Sequence, residues 1–272
     1  MLRRSEVSSD RGARQGDGSG GALLDISILS KSFGGVLALD SFSLIIPPDQ
    51  IVGIVGPNGA GKTVLINLIT GFYKANSGSI QFAGRNIVAL PRYKISRLGI
   101  ARTFQNIRLF KRMTVFENVL VAASEEKRRL FSNNLSRQKR RDYSNAAREL
   151  LSDFRLEEKA NLSAGALSYG EARRLEICRA LMTKPKLLLL DEPAAGMNES
   201  ETEKLIADIV QTKGLVETIL VIEHDTGMIR RLSDRVVAMN YGRKIAEGTA
   251  TEVFENPEVV EAYLGAPRNE DV

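Results

Sequence analysis

The residues GPNGAGKT at positions 56 to 63 constrain this chain more than any other stretch. They fill the template G-x-x-x-x-G-K-[ST] without a mismatch. The apolar run Ile51 to Val55 before them reads as a strand, and Val64 to Ile69 after them as a buried helix ending at Gly71. The spacing has a physical reason. Glycines let the backbone of Gly56, Pro57, Asn58, Gly59, Ala60 and Gly61 curl so that successive N–H groups point inward, and the start of the helix at Val64 adds its positive dipole end. Lys62 then reaches the outer phosphates and the Thr63 hydroxyl is placed to ligate Mg²⁺. The pattern specifies a nucleoside triphosphate site.

A chain of 272 residues accommodates one large domain or two small ones around a sizeable core. The single cysteine, Cys178, excludes an internal disulfide and fits a reducing compartment. No apolar run approaches the roughly 18 residues of a membrane span, and Met-Leu-Arg-Arg leads into polar residues rather than a secretory h-region. Any membrane role is therefore expected through a partner or a surface contact. The net charge of +5 is uneven: Arg102 to Arg148 hold twelve Lys or Arg against four Asp or Glu. Such a cluster attracts phosphate backbones. Without a zinc-finger spacing or an RNA-binding aromatic motif beside it, a solvated or lipid-facing helical surface is the expectation.

Residues 1 to 22 lack periodic apolar positions and are expected to be a disordered tail. From Leu23, alternation suggests two or three strands around Gly34-Gly35, with Phe33 before the turn as core packing or a base-stacking ring. Strands are expected at Ser79 to Phe82, Lys186 to Leu190 and Thr218 to Ile222, with a hairpin around Asn240-Tyr241-Gly242. Helices are expected from Pro91, over Val115 to Ala123, through the charged stretch Glu125 to Leu151 with a break near Asn133-Asn134, over 170 to 182, from Glu199 to Gln211, and from Asn256-Pro257 to Gly265. Apolar strands alternating with helices imply an α/β fold whose parallel sheet is covered on both faces.

Ligands of such sheets bind at the carboxyl ends of strands. Asp191 follows Leu187 to Leu190, as a carboxylate holding Mg²⁺ through water would. Glu192 comes next, where it would orient a water that attacks the γ-phosphate and accept its proton. His224, the only histidine, ends a second apolar strand and is read as a γ-phosphate contact. A further anion-binding end appears in ALSYGEARR, which places Ser168 and Gly170 immediately before a helix that Ser168 would cap. One phosphate loop has no use for two such ends, whereas two chains facing each other would use both.

The order Phe33, GPNGAGKT, Gln105, LSYGE, LLLLDE, His224 resembles that of ABC-type ATPases, the nucleotide-binding subunits of transporters, over about Leu23 to Gly265. The resemblance implies a P-loop (RecA-like) core with an antiparallel β subdomain and an inserted α-helical subdomain. It gives one domain, 23–272, with its core at 23–98 and 181–272 and the helical part at about 99–180. ATP and Mg²⁺ are the implied cofactors. Adenine would lie on Phe33, the catalytic residues would be Glu192, His224 and Gln105, and Thr63, Gln105 and Asp191 would surround the metal. In the family ATP is sandwiched between the phosphate loop of one chain and the signature residues of another, here Ser168, Gly170 and Glu171, while Gln105 also senses the permease.

Three positions depart from the wider pattern: Tyr169 stands for glycine, Glu171 for glutamine, and Asn198 for aspartate in the loop after Glu192. LSYG, DEPAAGMN, IEHD, ARTFQNIRLFKRMTVFENV and the ending GRKIAEGT…VEAYLG are similar to the ATP-binding subunits of branched-chain amino acid transporters. The resemblance implies membrane permeases and a second ATP-binding subunit as partners, an extracytoplasmic solute-binding protein indirectly, no nucleic acid, and a peripheral place on the cytoplasmic face of the inner membrane. Urea or lipopolysaccharide transport with the same engine, and a nucleic-acid-acting ABC protein, are the alternatives.

Overall fold

The computed structural model describes residues 21–123 and 137–264. Nearly all of the expected tail, the Asn133-Asn134 break and Gly265 lie outside the described residues. Strands β1 (Leu24–Phe33) and β2 (Val36–Ile46) form one hairpin over Gly34-Gly35. Next come β3 (Gln50–Val55), α1 (Lys62–Ile69), β4 (Ser77–Phe82), β5 (Arg85–Asn86) and α2 (Arg92–Arg97). Then follow β6 (Ile100–Arg102), α3 (Val115–Leu120), α4 (Arg137–Asp153), α5 (Tyr169–Leu181), β7 (Leu187–Asp191) and α6 (Glu199–Thr212). The chain continues through β8 (Thr218–Ile222), α7 (Thr226–Leu232), β9 (Arg235–Asn240), β10 (Arg243–Gly248), α8 (Ala250–Glu255) and α9 (Pro257–Leu264).

The strands divide between two sheets. One is antiparallel in the order β2-β1-β4-β5, and the other runs β10-β9-β3-β8-β7-β6. The six-stranded sheet is parallel except for β10, which returns against β9 at its edge. Its central strands are apolar between their ends because both faces are buried. Val52, Ile54, Leu189, Leu220 and Ile222 face a core shared with the antiparallel sheet and α1. Their alternating neighbours Ile51, Val55, Leu190, Ile219 and Val221 face a second core built with α3 to α7.

Two expectations shift. Strand β4 starts at Ser77 rather than Ser79, because Ser77 pairs with Ser30 across a register irregularity in β1. Residues 100–102, where the sequence suggests no regular element, form β6, which pairs in parallel with Leu187–Leu189. Three residues are too few to carry an alternation signal, so only the neighbouring strand specifies this one. Helix starts follow local chemistry. Thr114, Ser168, Asn198 and Thr249 each close a capping box with a glutamate three residues on, satisfying otherwise orphaned N–H groups.

Candidate active site

The phosphate loop runs from the carboxyl end of β3 into α1. Its shape is imposed from below: a Cβ on Gly56 would lie 2.2 Å from the Met239 carbonyl oxygen, and one on Gly61 2.6 Å from that of Ala38. Gly61 takes a φ of 100° as the residue before α1, and no side chain caps that helix. The first N–H groups of α1 are thus left to an anion. Lys62 is buried and folds back, its Nζ donating to the carbonyls of Gly56 at 2.6 Å and Pro57 at 3.0 Å. Burial pushes its ammonium below the ordinary range, against the opposing pull of Glu192 and Asp191. Thr63 and Asn58 are exposed, as a hydroxyl and a loop tip that meet a ligand should be.

Two side chains far apart in sequence converge on one carboxylate, that of Glu192. Gln105 Nε2 donates to Glu192 Oε2 at 2.6 Å, and His224 Nε2 lies 2.8 Å from Glu192 Oε1. Glu192 sits just past β7 with a φ of 45°, a left-handed conformation that a non-glycine residue adopts only where its surroundings over-determine it. Its N–H donates to the Ile222 carbonyl at 2.9 Å, so the end of the neighbouring strand sets its place. Asp191 is buried on the same strand end, but its nearest partner is unexpected. Arg102, from β6, donates to Asp191 Oδ2 at 2.7 Å and to Asn67 Oδ1 at 2.6 Å, tying β7 to α1.

The donors suit Mg²⁺. With its amide nitrogen given to Glu192, Gln105 has a carbonyl oxygen left to offer, as Thr63 has its hydroxyl and Asp191 the carboxylate oxygen that Arg102 does not take. That is a set of hard oxygen ligands. No cluster of three or more His, Cys, Asp or Glu forms a metal cage among the described residues, and Mg²⁺ shared with a triphosphate does not require one.

Ser168, Gly170 and Glu171 lie at the start of α5, where they line a small cavity of about 170 Å³ with Met197, Glu201 and Lys204. Among the described residues no hydrogen bond or ion pair joins them to positions 56 to 64. The structure brings Gln105, Glu192 and His224 together. Glu171 is engaged within its own chain. Its Oε2 accepts from the Ser168 N–H at 3.1 Å, and its other oxygen pairs with Lys159. Burial alone would raise its carboxyl, but Lys159 and the Ser168 amide hold it below the ordinary value.

Phe33 is about half exposed at the end of β1. Tyr73 meets its ring edge-on, with centroids 5.0 Å apart, and Lys31 lies over it at 4.8 Å. If adenine stacks here, Phe33→Ala raises the ATP dissociation constant by the equivalent of about 1–3 kcal/mol with the melting temperature unchanged. Equal affinity for the two proteins, measured by titration with a fluorescent nucleotide, would make the ring a packing group only.

Four residues that the motifs did not single out support the site. Glu223 is buried and accepts from the Ala194 N–H at 2.7 Å and the His224 N–H at 3.0 Å. It holds the turn after Glu192 against the end of β8. Burial pushes its carboxyl up, against the hydrogen bonds from those amides. The Tyr263 hydroxyl accepts from the Gly56 N–H at 2.8 Å, tying α9 to the phosphate loop. The other two, Arg102 and Arg173, are charged groups in the interior, and their signal is a charge on an otherwise apolar strand or helix face.

A family model described as "ABC transporter" matches residues 39–195, from β2 to the loop after Glu192. The chain belongs to the ABC transporter family. A second model, "Branched-chain amino acid ATP-binding cassette transporter", matches residues 243–268, from β10 onward. Among ABC proteins, the high-affinity branched-chain amino acid transport ATP-binding protein BraF of Pseudomonas aeruginosa is 44% identical over 249 residues, covering 89% of this chain and 98% of that protein. LivG of Escherichia coli K12, which carries the same description, is 43% identical with the same coverage. Two solved ATP-binding cassettes of ABC transporters superpose well. One is nucleotide-free, with a TM-score of 0.78 and 32% identity over 90% of this chain and 100% of the other. The second is an ADP conformation, with a TM-score of 0.79 and 33% identity over 90% and 99%. The two-sheet arrangement is thus that of an ABC ATPase.

Proposed function

We propose that this chain is the ATP-hydrolysing subunit of an importer for branched-chain amino acids, bound peripherally to permease subunits at the cytoplasmic face of the inner membrane. The observation that carries the ATPase chemistry is Glu192 held between Gln105 and His224. A carboxylate fixed at both oxygens by neighbours on different elements is pre-positioned to orient a water in line with the γ-phosphate and to accept its proton. Lys62 and the N–H groups opening α1 neutralise the phosphates. Thr63, Gln105 and Asp191 would hold Mg²⁺, which supplies charge neutralisation on the phosphate oxygens. Ser168 and Gly170 would meet the ATP of a second ATP-binding subunit, with Glu171 fixing Ser168 by its capping box. The substrate class rests on the relatives' descriptions and the family match over 243–268. Among the described residues no helix is long and apolar enough to cross a membrane.

The permease would dock in a groove of about 790 Å³ beside the Gln105 segment, between α2, β6 and α5. Its apolar walls include Phe72, Tyr93, Leu109 and Phe110, with Arg92 and Arg108 among them. That composition suits a partner's short helix. Phe110 is presented on a fixed loop, because the buried Asn118 amide accepts from its N–H at 2.9 Å and donates to its carbonyl at 3.1 Å. With residues 23–98 and 181–272 as the core and about 99–180 as the helical part, Gln105 stands at the joint between them.

Reconstitution with the permeases and the solute-binding protein in proteoliposomes tests the proposal. Leucine-loaded binding protein should stimulate ATP hydrolysis, and Gln105→Ala should remove more of the stimulated than of the basal rate. Stimulation by urea and not by leucine, isoleucine or valine would overturn the substrate class. Equal loss of both rates would make Gln105 catalytic alone and move the docking surface elsewhere.

A further inference from the structure

Arg173 is the largest fully buried side chain among the described residues, yet it carries a charge. A guanidinium removed from water is costly unless its donors are matched. Here Nη1 donates to the Phe104 carbonyl at 2.5 Å and to Glu176 Oε2 at 2.8 Å, while Nη2 donates to the Gln105 carbonyl at 2.6 Å. The Tyr169 hydroxyl lies 3.4 Å from Nη2. Two consecutive peptide carbonyls are therefore held by one planar fork, which a lysine cannot reproduce.

The segment from Thr103 to Phe110 has no helix or strand to fix it. Its Gln105 carbonyl has the fork as its partner, and from the same residue the side-chain amide reaches Glu192. At its other end Arg173 stands in the second turn of α5, the helix that Ser168 caps, one turn beyond Tyr169. The geometry links Ser168 to Arg173, Arg173 to the Gln105 backbone, and Gln105 to Glu192.

We propose that Arg173 is a positioning residue for ATP hydrolysis. It makes α5 and the Gln105 segment move as one body, so that engagement of Ser168 by a partner chain's ATP is felt at Glu192. The inference rests on the reading of Glu192 as the water-orienting carboxylate. Glu176 serves as its counter-ion, and it also accepts from the Arg108 N–H at 3.3 Å, pinning the next part of the same segment.

The test is a double-mutant cycle in the full chain. Arg173→Met is combined with Glu176→Gln so that no buried carboxylate is left unpaired. Steady-state hydrolysis, nucleotide affinity and melting temperature are measured with Gln105 intact and with Gln105→Ala. A displaced Gln105 should lower kcat by roughly 10- to 100-fold, with ATP affinity kept within about twofold. In the Gln105→Ala background the same change should cost less than about twofold further, since its target is gone. Arg173→Lys, which keeps the charge beside Glu176 and gives up the fork, should fall between, and it decides the cycle if the double variant does not fold. Losses that multiply in the Gln105→Ala background, a matching loss of ATP affinity, or an undiminished kcat in a folded variant would each overturn the role of Arg173. Those outcomes are separable from failure of the site itself, which would show as Glu192→Gln hydrolysing at the original rate.

Discussion

Replacing Glu192 by glutamine should lower ATP hydrolysis by roughly 10²–10⁴-fold, the range for loss of a general base, while ATP binding persists. The substitution keeps the size of the side chain and an acceptor for Gln105, and it removes the carboxylate that takes the proton. On the proposed reading Lys62, Thr63 and the N–H groups of α1 would hold the phosphates without it. Single-turnover hydrolysis and nucleotide titration on the same preparation check both halves. A variant that turns over at the original rate would remove Glu192 from the chemistry. One that loses ATP affinity in proportion would make it a binding group. Glutamine at this φ of 45° bears the same backbone cost as glutamate, so the comparison isolates the side-chain chemistry.

Ser168→Arg should have the second large effect, and it acts on the partner chain's nucleotide. Ser168 caps α5 and lines a cavity with Met197 and Glu201 that no phosphate-loop residue lines. An arginine there would put bulk where the proposed dimer places a facing chain's γ-phosphate, and it removes the N-cap, which by itself costs about 1 kcal/mol. In a Glu192→Gln background, ATP should drive association of two ATP-binding subunits on size exclusion, and adding Ser168→Arg should abolish it. Since Ser168→Ala loses the cap without the bulk, it separates the two causes. Persistence of the ATP-dependent dimer in the arginine variant would show that Ser168 does not face the nucleotide.

The phosphate loop was legible because eight adjacent residues carry both its chemistry and its backbone requirements. Asp191, Glu192 and His224 were legible for a different reason: each follows an apolar run, and strand ends are where such sheets place ligands. What adjacency cannot give is convergence. Gln105 and Glu192 are 87 positions apart, and they meet only because β6 and β7 are neighbours in the sheet. Strand β6 was missed, being three residues long and without a pattern of its own. Arg173 was passed over because a charge within an amphipathic helix reads as solvated. Its spacing of four and seven from Ile177 and Ala180 sets it on a buried face, and Glu176 at i+3 supplies the counter-ion. Glu171, which departs from glutamine, has a local explanation: it closes the capping box on Ser168 and pairs with Lys159.

That hydrolysis at Glu192 drives import of branched-chain amino acids is tested most directly by uptake of labelled leucine in cells lacking this chain. The original sequence, restored on a plasmid, should return uptake of leucine, isoleucine and valine, and Glu192→Gln at equal abundance should return none. Leucine uptake that is unaffected by the deletion, or that the Glu192→Gln chain restores in full, would contradict it.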